Sequence, residues 1–498
     1  MKLSSLQIEY FKERALSPEE VERQIDLFKK GTQYLNLAYS ASLEKGITQI
    51  REEQIQKIES DYSNLISDKT ICKFVPASGA ATRMFKDLYA YLESNEDSNF
   101  VKYFIENISR FAFYEDLKRA LLNDGYKIEN LLLKKDYTTI IDYLLSEKGL
   151  NYGSLPKGLL TFHKTEDITV TPIAEHIKEA VAYAGKNSKL IFTISQEFQT
   201  KFEKEIEHSF KRYGIKDISY DLTYQKPETD TVAVDENYNL IPLNDKEILL
   251  RPGGHGSLIA NLNEVEADIV FIKNIDNVCA TPYIETTVKY KKVLLGILLE
   301  VQNKIFEYVR KIENYDGSNL EMNTELEDFI EKKLNISVDK MQDLNSTEKV
   351  KFYKSKLNRP IRVCGMVRNE GEPGGGPFGV LGKDGVISLQ IVESSQINHQ
   401  DKLQEQIFLN SSYFNPVDIV CSLTNAKGKK YDLTKFVDKE AYFIAKKSFK
   451  GKEILALEHP GLWNGGMGDW NTIFVEVPSL TFNPVKTIND LLRETHQS

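Results

Sequence analysis

Two segments of the sequence place small or charged residues where parallel strands are expected to end. The first, PASGAATR at residues 76–83, lies between an apolar strand and the start of a helix. Small residues let the backbone approach a phosphate, and a helix N-terminus favours an anion, which Arg83 could also reach. The segment has neither the GxxxxGK[ST] nor the GxGxxG pattern. A tight turn that only packs the helix on the strand is therefore the alternative.

The second segment is ADIVFIKNIDNV, an apolar run that ends in polar residues. The run is predicted to be a buried strand, and its tip carries Asp276. Open α/β sheets bind ligands at the carboxyl ends of their strands. A carboxylate there can hold Mg²⁺ against nucleotide phosphates. The alternative is an aspartate that only forms a turn with Asn277.

The composition excludes several classes of function. The 498 residues are 41% hydrophobic and 28% charged, with a net charge of −9, whereas a nucleic-acid binder is expected to be basic. No stretch approaches the roughly 18 apolar residues of a membrane-spanning helix. The first 14 residues lack the apolar core of a signal peptide. We therefore expect a cytoplasmic protein with no nucleic-acid or membrane partner, while the sequence gives no indication of its oligomeric state.

The four cysteines are far apart in the sequence and form no CxxC pair. Spacing of this kind is typical of neither a metal site nor a redox motif. In a reducing compartment we expect them to be buried free thiols: Cys72, Cys279, Cys364 and Cys421.

Strands and helices alternate along the middle of the chain, which predicts an α/β fold with a largely parallel sheet. Residues 1–68 are expected to be helical, beginning a helix at Ser17 and Pro18. The predicted catalytic domain then covers 69–425, with helical insertions near 87–150 and 285–357. A C-terminal segment, 426–498, is expected to complete the site.

A series of short motifs follows one order along the chain: ASGAATRMF, LPKGLLTF, IFTISQEF, YQKPETDTVAVDENYNLIP, RPGGHGSL, IKNIDNV, IVESSQI, FLNSSYFNPVDIV and VEVPSLTFNPVKTINDLL. In content and order these motifs resemble those of the pyrophosphorylases that make UDP-glucose and UDP-N-acetylhexosamines. The resemblance extends, with insertions, over roughly residues 70–490. It implies a Rossmann-like fold of the nucleotide-diphospho-sugar transferase type, with helices on both sides of a mixed, mainly parallel sheet and an N-terminal helical layer.

The resemblance also implies roles for individual residues. Catalytic cations that hold the phosphates would be Arg83, Lys157 and Lys486. Asp276 would bind Mg²⁺, and Asn410 is a second candidate ligand. The sugar would be bound by Glu393 and Asn410. The nucleotide would be bound by Ala77, Ser78, Gly79, Ala80, Gln225, Gly254, His255 and Gly256.

Two features depart from this family pattern. Ser78 and Ala81 stand where the family usually has glycine, and each adds a Cβ that disfavours positive φ. We therefore expect the geometry of this loop to differ. The segment GLWNGGMGDWN has no counterpart in the pattern. Its Trp463 and Trp470 could stack on a sugar or a base, or pack beneath a glycine-rich turn.

The reaction implied by the resemblance is attack of a sugar 1-phosphate on the α-phosphorus of a nucleoside triphosphate, UTP above all, with loss of pyrophosphate. Two polyanions meet in such a reaction, so cations matter more than a general base. A protein that binds a nucleotide or nucleotide-sugar without turnover is the first alternative. A carbohydrate-binding protein that uses the tryptophan segment is the second. The sequence does not indicate which sugar is used.

Overall fold

The computed structural model describes residues 3–165, 168–371 and 374–497. These residues form fifteen α-helices: α1 Ser5–Glu13, α2 Pro18–Lys30, α3 Glu52–Leu65, α4 Lys86–Ser94, α5 Asn99–Glu106, α6 Tyr114–Asn123, α7 Ile128–Lys134, α8 Tyr137–Leu145, α9 Pro172–Tyr183, α10 Gln199–Tyr213, α11 Leu258–Leu262, α12 Ile284–Lys311, α13 Leu320–Lys332, α14 Ser346–Leu357 and α15 Lys402–Leu409. None of these helices combines the length and apolar character needed to span a bilayer.

The same residues form eighteen strands: β1 Leu37–Ser40, β2 Ile47–Thr48, β3 Ile71–Pro76, β4 His163–Thr165, β5 Ile168–Val170, β6 Lys189–Ile194, β7 Ser219–Tyr224, β8 Thr231–Val234, β9 Leu250–Arg251, β10 Ile269–Lys273, β11 Ile361–Arg368, β12 Gly376–Leu381, β13 Ile387–Val392, β14 Tyr413–Phe414, β15 Asp418–Ser422, β16 Phe443–Phe449, β17 Lys452–Glu458 and β18 Asn471–Glu476. Parallel and antiparallel pairs both occur, and helices alternate with strands. The predicted α/β class with a mixed sheet is therefore confirmed.

The chain divides into two compact units. Unit 1 consists of Met1–Thr70, Tyr224–Phe271 and Val293–Val477. In one of its sheets β11 pairs in parallel with β18, and β18 in parallel with β2, while β11 pairs antiparallel with β15. The same unit contains two antiparallel sheets, in the orders β1-β12-β13 and β16-β17-β8-β9.

Unit 2 consists of Ile71–Thr223, Ile272–Lys292 and Pro478–Ser498. Its central pair is β3 and β6, which are parallel from Cys72 opposite Lys189 to Pro76 opposite Thr193. Helices α4 to α8 pack their apolar faces into one core that also contains Val278, Val485 and Leu491. Three separate stretches of sequence therefore contribute to one hydrophobic core.

Local sequence explains where several helices begin. Ser17 accepts a hydrogen bond from the Glu20 N–H and Pro18 is the first helical residue, as predicted. Gly31 ends the helix at φ 78°. Thr171 caps α9 in the same way, with Pro172 next. Helices α4 to α8 cover much of residues 87–150, and helices α12 to α14 cover much of residues 285–357, the two regions expected to be helical insertions.

The expectation for residues 1–68 is only partly correct. Helices α1, α2 and α3 lie there, but β1 and β2 interrupt them. Leu37 pairs with Val380 of β12, and Ile47 pairs with Phe474 of β18. Partners so distant in sequence leave no local pattern, so these strands were missed.

Candidate functional site

Asp276 lies on a tight turn directly after β10. All five residues of this strand are buried, and the Asn277 N–H donates to the Asn274 carbonyl at 3.1 Å to close the turn. The Asp276 backbone carbonyl accepts from the Val485 N–H at 3.2 Å. The residue is only 6% exposed. A buried carboxylate at a strand end needs a cationic or hydrogen-bonding partner, since desolvation disfavours its charge.

Two of the predicted lysines supply that charge. Lys157 Nζ lies 2.8 Å from Asp276 Oδ2, and Lys486 Nζ lies 3.2 Å from the same oxygen. Lys157 Nζ also donates to the Val485 carbonyl at 2.7 Å. The Lys157 side chain is 14% exposed, whereas that of Lys486 is 57% exposed. The structure thus brings together three residues that the sequence assigned to phosphate and metal binding.

This arrangement sets the ionisation of Asp276. Burial alone would raise the pKa of its carboxyl, but the charges of Lys157 and Lys486 outweigh burial and lower the pKa below its ordinary value. The group is therefore an anion at neutral pH. One negative and two positive charges lie at the turn. The turn therefore carries an excess positive charge, which favours an anionic ligand.

Local geometry explains how the two lysines are held. Lys157 begins a short 3₁₀ turn after Pro156, and a Cβ on the next residue, Gly158, would lie 3.3 Å from the Ile275 side chain. A larger residue would thus crowd the chain beside Asp276. Lys486 is fixed by its backbone, because its N–H and the N–H of Thr487 donate to Asp490 Oδ2 at 2.8 and 2.7 Å.

The small-residue loop at 77–80 is connected to the same part of unit 2. The Ala77 N–H donates to the Thr193 carbonyl at 2.8 Å, and Ala80 forms a β-bridge with Pro156, the residue before Lys157. Arg83 follows in a 3₁₀ turn. It is exposed, and it forms no ion pair within the residues described.

The backbone of this loop accommodates the residues that replace glycine in the family pattern. Ser78, Gly79 and Ala81 all lie outside the positive-φ region. A Cβ at position 78 or 81 therefore costs no backbone strain, and Ala81 is fully buried at the start of its 3₁₀ turn. The backbone here follows a path that any residue can adopt, and the expected difference from the family's loop geometry stays a prediction.

A second cluster of predicted residues forms in unit 1. The His255 ring stacks on Trp463 with centroids 4.2 Å apart and an interplanar angle of 18°. The Leu462 N–H donates to His255 Nδ1 at 3.0 Å, so a neutral ring carries its hydrogen on Nε2. That nitrogen lies 3.9 Å from Glu393 Oε1. Burial lowers the pKa of His255, and Glu393 offsets this only in part.

The glycines around His255 allow two loops to approach each other closely. Gly254 has φ +75°, and a Cβ there would lie 2.7 Å from Glu458 Oε2. A Cβ on Gly256 would lie 2.3 Å from the Pro460 carbonyl oxygen. One on Gly461 would lie 2.4 Å from the His255 ring. The PGGHG segment therefore owes its glycines to packing against residues 458–463.

These distances predict a loss of stability for one glycine-to-alanine variant and almost no change in stability for another. Gly256→Ala must move backbone, and we expect it to lower the free energy of unfolding by about 1–3 kcal/mol. Gly79→Ala is the matched control, because no atom lies within 4 Å of a Cβ there. We expect it to change stability by less than about 0.5 kcal/mol. Urea unfolding followed by circular dichroism measures both, and equal losses would contradict the packing argument.

The two tryptophans behave differently. Trp470 is 3% exposed, and its Nε1 has no hydrogen-bond partner in the described residues, so its ring is not available to a surface sugar. Trp463 is half-buried with one face on His255, and its backbone carbonyl accepts a hydrogen bond from the buried Arg362. The packing alternative is therefore correct for Trp470.

The other predicted ligand residues occupy less constrained positions. Gln225 is half-buried, and its Nε2 is buried without a hydrogen-bond partner among the described residues. Asn410 ends α15, where its N–H donates to the Gln406 carbonyl at 3.1 Å, and it is exposed. All four cysteines are buried thiols that form no disulfide among the described residues, as expected.

The sequence reasoning missed a buried charge network in unit 2. Lys73 Nζ lies 2.9 Å from Glu179 Oε2, and Lys273 Nζ lies 2.7 Å from Glu179 Oε1. All three side chains are at most 1% exposed. The available signal was a lysine within each of two apolar strands, since a buried ammonium requires a carboxylate or carbonyl partner.

The network gives stability a distinct pH dependence. Burial lowers the pKa of Lys73 from 10.5 to about 7, with Glu179 opposing and Lys273 adding to the effect. Between these two pH values the unfolded chain binds a proton that the folded chain lacks. The free energy of unfolding should therefore rise with pH over this window, by at most about 1.4 kcal/mol per pH unit from this group.

Urea unfolding of Lys73→Met at several pH values between neutral and 10 tests this prediction. We expect the variant to lose that part of the slope. Lys216→Met, at an exposed lysine, should keep it. A slope in Lys73→Met equal to that of the unmodified chain would contradict the assignment.

The residues at Asp276 set a limit on metal binding. In the described ranges, no group of three or more His, Cys, Asp or Glu side chains is arranged to hold a metal ion. Mg²⁺ in phosphate-binding sites commonly takes one or two carboxylates and completes its octahedron with waters and substrate phosphates. Asp276 therefore fits Mg²⁺ that arrives with a phosphate ligand, and does not fit an ion held by protein alone.

Comparison with known proteins identifies a family. No curated protein matches the chain. Among solved structures, the chain is similar to a mutant UDP-glucose pyrophosphorylase from Leishmania major in complex with UDP-glucose, with 12% identity and a TM-score of 0.44 over 99% of this chain and 79% of that one. Values this low say nothing about activity. The family model described as "Domain of unknown function (DUF4301)" matches residues 4–497, so the protein belongs to the DUF4301 family.

Proposed function

We propose that this protein is a sugar-1-phosphate nucleotidyltransferase that uses UTP and releases pyrophosphate. The observation that carries the proposal is the buried Asp276 carboxylate between Lys157 and Lys486. A strand-end carboxylate with two converging ammonium groups suits a ligand that brings both negative phosphates and a divalent cation. The motif resemblance supports the same reaction.

The proposed reaction is an in-line displacement. An oxygen of the sugar 1-phosphate forms a bond to the α-phosphorus of UTP, and the bond from that phosphorus to the bridging oxygen breaks. Pyrophosphate leaves with the electron pair. The nucleophile is already ionised at neutral pH, so the protein needs to position two polyanions and offset their charge more than it needs a base.

The residues of unit 2 have distinct proposed tasks. Lys157 is largely buried and hydrogen-bonded to the Val485 carbonyl, which suits a fixed charge for the triphosphate. Lys486 is more exposed, which suits a charge that meets the incoming sugar phosphate. Arg83 would add a third cation to the triphosphate. When bound, Mg²⁺ would offset phosphate charge, with Asp276 as its protein ligand.

The remaining assignments follow the resemblance. The uracil would meet Gln225 and the loop of Gly254, His255 and Gly256, while Ala77 to Ala80 would lie against the phosphates. Glu393 and Asn410 would bind the sugar. The same proposal places the protein in the cytoplasm, with soluble small molecules as its substrates.

The test is pyrophosphate release from UTP and Mg²⁺ across a panel of sugar 1-phosphates. Lys157→Met should abolish the signal, whereas Lys148→Met, at a lysine that is 66% exposed, should leave it unchanged. No release from UTP or any other nucleoside triphosphate would contradict the proposal. Tight calorimetric binding of a UDP-sugar without turnover would instead identify a nucleotide-sugar binding protein.

A further inference from the structure

A buried histidine contacts the turn that carries Asp276. His176 lies on α9 and is completely buried. Its Nε2 lies 3.2 Å from the carbonyl oxygen of Asn274 and 3.2 Å from that of Ile275. These are the two residues between the end of β10 and Asp276. One side chain from a neighbouring helix thus contacts both peptide groups that precede the carboxylate.

The hydrogen-bond partners define the state of the ring. Both partners of Nε2 are carbonyl oxygens, which only accept, so Nε2 must carry the hydrogen. Nδ1 is buried and has no hydrogen-bond partner in the described residues. His176 therefore acts through a single N–H, which is shared between two successive carbonyls. Its second ring nitrogen, Nδ1, takes no part in these contacts.

The helix carrying His176 is itself fixed. The His176 carbonyl accepts from Lys73 Nζ at 2.8 Å, so α9 is attached to β3. One turn farther along α9, Glu179 pairs with Lys273, the last residue of β10. The strand end is thus held by Glu179 and the turn by His176, so the path of the backbone is set on both sides of residue 274.

The orientation of Asp276 depends on that path. Its carboxylate must meet Lys157 and Lys486 at one oxygen, and a rotation of the preceding peptide would move that oxygen away. Without the His176 donor, the Ile275 carbonyl would be free to rotate. The Asn274 carbonyl would keep only its hydrogen bond from the Asn277 N–H.

From these contacts we infer that His176 is a positioning residue, which orients the Asp276 carboxylate through the carbonyls of Asn274 and Ile275. The inference deepens the proposed function by adding a residue to the same site. Only the expected effect of His176 on nucleotide binding rests on the proposed function. The mechanism does not use His176 directly, and any side chain that donates one hydrogen from the same place should replace it.

Three substitutions separate this role from simple packing. Gln can place an amide N–H near the position of His Nε2, Phe fills similar volume without a donor, and Asn carries a donor that is too short to reach. We expect His176→Gln to behave like the unmodified chain. His176→Phe and His176→Asn should both lose the orientation of Asp276. Phe has no donor, whereas Asn keeps a donor that does not reach the two carbonyls.

Hydrogen exchange in the ligand-free protein gives a readout that does not depend on the proposed function. The amides of Asn277 and Val485 donate to the Asn274 and Asp276 carbonyls. In His176→Phe and His176→Asn we expect these amides to exchange at least about tenfold faster, while the Ala77 amide, bonded to Thr193, stays unchanged. Faster exchange at all three amides would show a general loss of packing and overturn the inference, as would no change at Asn277 and Val485.

Calorimetry with UTP and Mg²⁺ provides the second readout. Residues that orient a ligand typically change affinity by about 10–100-fold when replaced, so we expect that loss in His176→Phe and recovery in His176→Gln. Equal losses in His176→Phe and His176→Gln would overturn the inference. If the unmodified chain binds no nucleotide, the proposed function fails while the exchange result still decides the role of His176. If His176→Phe does not fold, the Gln and Asn variants make the same comparison.

Discussion

Asp276→Ala should reduce pyrophosphate release by about 10²–10³-fold, the usual effect of removing one charge-stabilising contact from a transition state. The substitution removes the carboxylate and leaves Lys157, which is only 14% exposed, without its anionic partner. Asp276→Asn should lose activity as well, because the amide keeps the shape and lacks the charge. Steady-state assays under saturating UTP and Mg²⁺ measure the effect on kcat.

The control for this result is Asp221→Ala, which removes a carboxylate that is 50% exposed and paired with Lys189 on unit 2. Its activity should match that of the unmodified chain. Circular dichroism at the assay temperature must show that Asp276→Asn is folded, so that lost activity reports on the site. Full activity in a folded Asp276→Asn variant would remove Asp276 from the proposed mechanism.

Glu179→Leu should produce the largest loss of stability, about 3–5 kcal/mol, since it leaves buried charges uncompensated. Two ammonium groups, Lys73 and Lys273, share this one carboxylate, and all three side chains are at most 1% exposed. The charges of the two lysines hold the pKa of Glu179 far below its usual range, although burial acts in the opposite direction. Urea unfolding near neutral pH measures the loss.

Two further variants test the reason for that loss. Adding Lys73→Met to Glu179→Leu removes one of the two buried lysines that have lost their carboxylate, so we expect part of the stability to return. Glu207→Leu removes an exposed glutamate of α10 and should change stability by less than about 0.5 kcal/mol. A loss in the double variant equal to the sum of the single losses would contradict the charge argument.

The sequence predicted the part of the candidate site that depends on short motifs. Asp276, Lys157 and Lys486 were assigned from three segments far apart in the chain, and the structure places Lys157 Nζ 2.8 Å and Lys486 Nζ 3.2 Å from Asp276 Oδ2. Each motif is local, so its residue types and order are visible without a structure. Their chemical roles stay predictions.

The missed strands β1 and β2 have distant partners, which are β12 and β18. Strand β12 begins GPFG, a composition typical of a loop, yet Phe378 pairs with Ser40 and with Gln390. A Cβ on Gly379 would lie 2.3 Å from the Tyr39 ring. That glycine thus serves a contact with a strand far away in sequence, and no local pattern reveals it.

The positioning of Asp276 was also beyond the sequence. His176 looks like one of several polar residues in α9, and its partners at the turn are backbone carbonyls. Carbonyl groups carry no residue type, so a contact with them leaves no pattern. Lys73 and Lys273 were more informative, because a lysine inside an apolar strand requires an internal partner.

The assembly of unit 2 from three stretches of chain has a consequence for biosynthesis. Ribosomes release residues 71–223 long before residues 478–498, and the apolar core of helices α4 to α8 includes Val485, Ile488, Leu491 and Leu492 from that last stretch. Until residues 478–498 have been synthesised, the nascent chain therefore exposes part of this core and lacks Lys486. A product of premature termination would carry the same exposed surface, which is the feature that chaperones and proteases recognise.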